Sequence, residues 1–220
     1  VLEAQRVGFG ASGRNGGQLG SGQRQDQKAL EKMVGEDAAR RLWDLGEDAN
    51  SLVRQLVERH QLDCYLKDGI AWAASHTSDL DDLHAYAEHL QTRYDYEQIE
   101  ALDANAFHAL CPSPDYKGGT LDIGAAHLHP LRLALGLAQA ASRAGARIHE
   151  RSHVHDIKHG AKVTVRTDAG HVTADQVILA ANGYLGGLDR QVASRVMPIN
   201  NYVVATEPLG DDAAKVLTKD

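Results

Sequence analysis

Residues 1–22 read VLEAQRVGFGASGRNGGQLGSG, and the fold turns on what surrounds their glycines. Seven of the chain's 21 glycines lie between Gly8 and Gly22. Gly8-Phe9-Gly10-Ala11-Ser12-Gly13 spells G-x-G-x-x-G, the spacing of a dinucleotide fingerprint. That fingerprint needs an apolar strand before it and a helix after it. Glu3, Gln5 and Arg6 interrupt the approach. Arg14-Asn15-Gly16-Gly17 is a poor helix start, because each interior glycine costs about 1 kcal/mol. The context therefore argues against the literal motif.

Glu3 opens the better reading. Val1-Leu2-Glu3 has the pattern of a buried strand that ends in an acid. In a dinucleotide-binding fold, an acid ending the second strand holds ribose hydroxyls about 20 residues after the glycines. Glu3 fits that acid, and the fingerprint itself would then lie upstream of Val1. On this reading the chain is a segment of a longer protein. The Gly8–Gly22 loop becomes the next segment, where backbone N–H groups approach an anion or a flat ring. Ser12 and Asn15 supply hydrogen-bond donors there, and Arg14 places positive charge beside a pyrophosphate.

Composition narrows the classes. The chain has 220 residues, 43% hydrophobic and 24% charged, which suits a globular protein with a core and excludes a disordered tail or a rod. The net charge is −7 and no basic block occurs, so no nucleic-acid partner is expected. No run of 18 apolar residues exists, so no integral membrane segment is expected. Cys64 and Cys111 show no metal or disulfide spacing and read as reduced thiols in a cytoplasmic protein. His127 and His129, and His153 and His155, alternate as strand neighbours do, with His159 beyond. No cysteine or carboxylate cluster accompanies them, so no metal site is assigned.

Periodicity outlines the elements. Leu42, Leu45, Ala49, Leu52, Leu56 and Val57 mark a helix over 36–60. Residues 64–74 read as a hairpin turning at Lys67-Asp68-Gly69, and a helix capped by Ser78 or Asp79 runs to Thr92. Residues 97–118 are mixed, with a loop at Pro112 and Pro114. Strand and turn signals fill 116–128. Pro130 opens a helix that Gly145 ends. Strands follow at 146–150 and 154–158, then a hairpin of 163–167 and 171–174 around Asp168-Ala169-Gly170. Val177-Ile178-Leu179-Ala180-Ala181 has the apolarity of a fully buried strand, and Ile199–Thr206 reads as another strand. Trp43 reads as core, and Tyr65 and Trp72 as either packing residues or the lining of a substrate pocket. Alternating helices and strands give an α/β or α+β class with a buried, parallel sheet.

Glu3, then Gly8–Gln18 (GFGASGRNGGQ), resembles the flavin-contacting loop of the FAD-dependent D-amino-acid oxidase-like oxidoreductases. His127-Leu128-His129-Pro130 resembles that family's return into its FAD domain. Residues 150–157 (ERSHVHDI), 177–184 (VILAANGY) and 197–209 are similar to its later strands. The resemblance implies a Rossmann-like FAD-binding domain interrupted by a β-rich substrate domain. It divides the chain into FAD-domain parts at 1–62 and 126–190, a substrate-domain part at 63–125, and a substrate-domain strand with its continuation at 191–220.

The resemblance also implies a chemistry. Hydride passes from the carbon bearing an amine to FAD, the imine hydrolyses, and oxygen or another acceptor takes the electrons. The partners would be a small amine or amino acid and that acceptor. Glu3 would hold the ribose. Ser12, Arg14 and Asn15 would face the pyrophosphate, and Gly16, Gly17 and Gln18 the flavin ring. Val154, Ala180 and Ala181 would line the adenosine end. No catalytic residue is assigned, and a segment lacking the fingerprint would be inactive alone. The rivals are a flavin-free binding or assembly module of the same fold, a His-rich metal-binding protein, and an NAD-dependent enzyme using Gly8–Gly13.

Overall fold

The computed structural model describes residues 1–210. The chain forms two compact units. One comprises Val1–Gly16 and Pro130–Val204, the other Gly17–His129 with the described residues from Ala205 on.

In the second unit the chain forms β1 (Gln18–Leu19), α1 (Gln27–Val34), α2 (Glu36–His60), β2 (Lys67–Ala74), α3 (Thr77–Tyr94), β3 (Ile99–Asp103), α4 (Ala104–Leu110) and β4 (Gly118–His127). The expected helix over 36–60 is α2. Its buried stripe is Ala39, Trp43, Gly46 and Asn50, at helical spacing, and not the leucine stripe read from the sequence, of which Leu45, Ala49 and Leu52 are exposed. Arg59 and His60 lie in its last turn, where positive charge suits the helix dipole. α1 falls outside the predicted helix. Its signals were Asp26, whose side chain accepts the Ala29 N–H at 3.1 Å, and Gly35, which separates it from α2.

β4 is the central strand. It pairs antiparallel with β2 on one side, and with β3 and the short β1 on the other. The expected hairpin at 64–74 is instead the single strand β2. The Lys67-Asp68-Gly69 signal marks an irregularity between Asp68 and Ile70, and the partner strand lies some fifty residues further along the chain. A turn signal specifies a local bend and not the identity of the partner. β3 and α4 occupy the stretch read as mixed, and Asp103 caps α4 by accepting the Ala106 N–H at 2.8 Å. The core gathers Trp43, Ala87, Leu90, Tyr94, Tyr96 and Ile99. The Trp43 ring lies 5.4 Å from Tyr94 and 5.0 Å from Tyr96, centroid to centroid. Tyr65 and Trp72 are exposed, so of their two readings core packing is set aside.

In the first unit Val1–Glu3 runs parallel to the segment around His149. Leu2 bridges His149, Glu3 N–H donates to the His149 carbonyl at 2.9 Å, and Ser152 N–H donates to the Glu3 carbonyl at 2.8 Å. The expected strand at 146–150 takes this form. α5 (Pro130–Arg143) follows the Pro130 signal, and Gly145 follows it with φ +96°. β5 (Val154–Lys158), β6 (Val163–Thr167) and β7 (Gly170–Ala174) make the expected antiparallel meander. A short α6 (Arg190–Ala193) is capped by Asp189.

Three expectations are corrected. Both sheets are antiparallel, and among the described residues the parallel pairing is the Leu2–His149 bridge. Val177–Ala181 is not a buried strand: it has no ladder partner among the described residues, and Ile178 is 89% exposed. Residues 199–206 likewise form no strand and are exposed. Apolar β-formers become a buried strand only when neighbours supply both a ladder and a covering face. Apart from these corrections, the compact units change over at Gly16–Gly17 and His129–Pro130; they are units of packing and do not test the FAD-domain and substrate-domain segments read from the sequence with changes near 62, 125 and 190. Residues 17–62 join the second unit because β1 pairs with β4 and α2 packs in the same core. The end of the 191–220 segment, from 211 on, lies outside the described residues.

Candidate functional site

The glycine loop leaves Glu3 and folds back on itself. Phe9 N–H donates to the Arg6 carbonyl at 2.9 Å. Ala11–Gly13 forms a 3-10 turn, with Gly13 N–H on the Gly10 carbonyl at 3.1 Å. Gly13 sits so close to the Gly8 carbonyl that any Cβ would strike it. Only glycine closes the turn this tightly. The loop rests on the first turns of α5, with Gly8 beside Leu131 and Ala134. Gly10 packs on the Tyr184 ring, and Tyr184 N–H donates to the Ala181 carbonyl at 2.9 Å. The first unit thus brings together the loop, the start of α5 and the turn after Ala180–Ala181.

Each predicted site residue has a definite place. Glu3 is half-buried, and its Oε1 accepts the Gln5 N–H at 2.8 Å. A carboxylate has about four acceptor positions, so this bond leaves capacity for hydroxyl donors. The bond from Ser152 sets Glu3 beside the chain that enters β5 at Val154, itself half-buried. Ser12, Arg14 and Gly16 are exposed, and the Arg14 guanidinium stacks over Phe9 at 4.4 Å from the ring centroid. The Asn15 amide donates inward, to the Ala11 carbonyl at 2.9 Å and the Ser12 carbonyl at 3.3 Å. It therefore braces the loop. Ala180 and Ala181 are exposed. Gly17 and Gln18 belong to the second unit, where Leu128 N–H donates to the Gly17 carbonyl at 2.9 Å and exposed Gln18 pairs with His127.

Sequence reasoning missed the residues that hold the loop. Phe9 is the platform under Arg14, Tyr184 lies against Gly10, and Glu150 Oε1 accepts the Val7 N–H at 2.8 Å. Phe9 and Arg14 are neighbours in the loop, whereas the Glu150 and Tyr184 contacts have no sequence-local signal, Glu150 being 143 residues from Val7. The histidines do not converge. His127 is exposed on β4, the His129 ring is 6.4 Å from Tyr65, and His155 reaches Asp168 at 3.8 Å. Among the described residues no three His, Cys, Asp or Glu side chains gather as metal ligands. Cys64 and Cys111 are free thiols, and burial pushes the Cys64 thiol up. No helix among the described residues is long and apolar enough to cross a membrane.

Two groups of the loop suit a phosphate-bearing cofactor: Glu3 keeps acceptor capacity and Arg14 presents an exposed guanidinium. The glycines serve packing, since a Cβ on Gly8, Gly10 or Gly13 would meet Leu131, Tyr184 or the Gly8 carbonyl. The fold is shared with the glycine oxidase of Geobacillus kaustophilus, at a TM-score of 0.65 and 24% identity over 83% of this chain and 48% of that one. The profile of the FAD dependent oxidoreductase family, DAO, matches residues 1–219, and the chain belongs to that family. It is 41% identical over 218 residues to gamma-glutamylputrescine oxidoreductase of Escherichia coli K12, covering 99% of this chain and 51% of that protein. It is 37% identical to the probable oxidoreductase OrdL of Rhizobium meliloti, covering 95% and 49%. The chain therefore spans about half the length of the curated relatives it matches.

Proposed function

We propose that the chain carries part of the FAD site of an oxidoreductase that oxidises a C–N bond of a small amine or amino acid. The observation that carries this is the parallel pairing of Val1–Glu3 with His149, which puts an acid at a strand end directly before the glycine loop. In this reading the first unit belongs to the FAD-binding domain and the sheet of the second to the substrate domain. Bound FAD supplies the two-electron acceptor, and the imine left on the substrate is hydrolysed. The protein's own work is to bind and orient.

Glu3 would hold the ribose by accepting its hydrogen bonds. Ser12 and Arg14 would serve the pyrophosphate, with Asn15 keeping the loop in shape. Gly16, Gly17 and Gln18 would serve the flavin ring, and Val154, Ala180 and Ala181 the adenosine. Oxygen or another acceptor would take the electrons. The free thiols suit a reducing cytoplasmic compartment. The relative's name nominates a γ-glutamylated polyamine as the first amine to try.

The test purifies the protein from its natural gene and reads its visible spectrum. Flavin absorbance, bleached on adding gamma-glutamylputrescine or another amine, is the expected result. Glu3→Ala is expected to weaken FAD binding about tenfold or more, as loss of charge-assisted hydrogen bonds does. A folded protein that neither copurifies with FAD nor takes it up overturns the reading and leaves the flavin-free module in its place.

A further inference from the structure

The chain leaving the glycine loop runs into a buried polar cluster of the second unit. Ser21 Oγ and Tyr96 Oη lie 2.6 Å apart, and the Tyr96 hydroxyl donates to Asp122 Oδ1 at 2.5 Å. A phenol has one proton, so Ser21 is the donor to Tyr96. Asp122 is 7% exposed, and the same Oδ1 accepts Gly124 N–H at 3.0 Å and Ala125 N–H at 3.1 Å. One residue beyond Ser21, Gly22 N–H donates to Glu47 Oε1 at 2.8 Å. Asn50 on α2 donates to the Gly124 carbonyl at 3.3 Å, and Arg54 donates to that carbonyl at 2.9 Å and to Asn50 Oδ1 at 2.8 Å. Gly46 lies so close to Gly22 that a Cβ there would strike the Gly22 carbonyl. Burial pushes the Glu47 carboxyl up, and burial followed by the Asp122 contact pushes the Tyr96 phenol up.

This investment serves a strand too short to place itself. β1 is two residues long, pairing Gln18 with His127 and Leu19 with Ala126. A slip of one residue would move each side chain to the opposite face of the sheet. Two ladder pairs resist such a slip weakly. The anchors at Ser21 and Gly22 resist it further, because the slip would break the Ser21–Tyr96 contact and take the Gly22 N–H from the half-buried Glu47 carboxylate.

We infer that Tyr96, Asp122 and Glu47 are positioning residues that act through Ser21 and Gly22 to set the register of β1, and with it the face of the sheet on which Gln18 lies. That this register bears on FAD rests on the proposed function. The register part rests on the hydrogen bonds alone.

The test uses protein from the natural gene, with its FAD, carrying Tyr96→Phe, Glu47→Ala or Glu47→Gln. Tyr96→Phe keeps the ring against Trp43 and removes both hydroxyl contacts. Three readouts are taken: circular dichroism in the flavin bands, FAD affinity, and hydrogen exchange at the Leu128 amide, which Gly17 holds. Tyr96→Phe and Glu47→Ala are expected to alter the flavin dichroism and weaken FAD about tenfold, the equivalent of one hydrogen bond to a charged group. Both are also expected to lose protection at Leu128. Glu47→Gln, whose amide oxygen still accepts the Gly22 N–H, is expected to restore the native values. A stable Tyr96→Phe protein with native dichroism, affinity and Leu128 protection overturns the inference. If the unaltered protein binds no FAD, the functional reading fails and the Leu128 amide decides the register: protection lost in Tyr96→Phe supports the anchor, and protection kept overturns it. Should Tyr96→Phe not fold, Ser21→Ala, at a half-buried loop position, is read in the same way.

Discussion

The second unit buries Trp43, Tyr94, Tyr96 and Phe107 around its sheet, while in the first unit the apolar run Val177-Ile178-Leu179 stays at the surface. Both regions carry the residue types of a core. They differ in what surrounds those residues. Trp43 has Tyr94 and Tyr96 on its ring and Gly22 against its edge. Val177–Ala181 has no strand beside it among the described residues. Burial is a property of an assembled neighbourhood, and a sequence pattern states only the capacity for it.

The largest break in that contrast comes from Trp43→Ala. Emptying this buried site is expected to cost the second unit about 3–5 kcal/mol, by lost burial and the cavity left behind. Urea unfolding measures the loss, and hydrogen exchange locates it in α2 and α3. A cost below about 1 kcal/mol would show that the aromatic cluster is not the centre of the unit.

Alkali sharpens the contrast by a smaller step. Burial pushes the Tyr86 phenol up to about 12, and it also raises Tyr94 and Tyr96, with Glu31 and Asp122 adding to it as hydrogen-bond acceptors. In the unfolded chain these phenols ionise near ~10. The unfolded state then holds fewer protons than the native state above that pH. Stability is therefore fully present below about pH 10 and falls as pH rises toward the native values. Spectroscopic titration of the tyrosines is expected to show a delayed fraction that ionises together with loss of α3 helicity. Titration of every tyrosine as one exposed class would remove the argument.

The smallest effect belongs to Ile178→Lys. At a side chain this exposed, the change in stability is expected within about 0.5 kcal/mol. Light scattering of this chain should fall, because a charge interrupts an unpartnered apolar segment. A loss of several kcal/mol would instead mean that Ile178 is covered in the protein.

Much was legible from the sequence because the responsible physics is local. Helical spacing in α2, Pro130 at the start of α5, the Asp168-Ala169-Gly170 turn of the meander and the acid at Glu3 are each written within a few residues. So was the loop composition, with seven glycines around Arg14 and Asn15. The tertiary structure alone decided the rest. It gave β2 to β4 instead of a local hairpin and left Val177–Ala181 exposed. It turned the Asn15 amide inward and tied Ser21 to Tyr96 across 75 residues of chain. These outcomes depend on which distant groups arrive beside a residue. Strand pairing, burial and the satisfaction of buried polar groups are settled by long-range neighbours, which no short window of sequence contains.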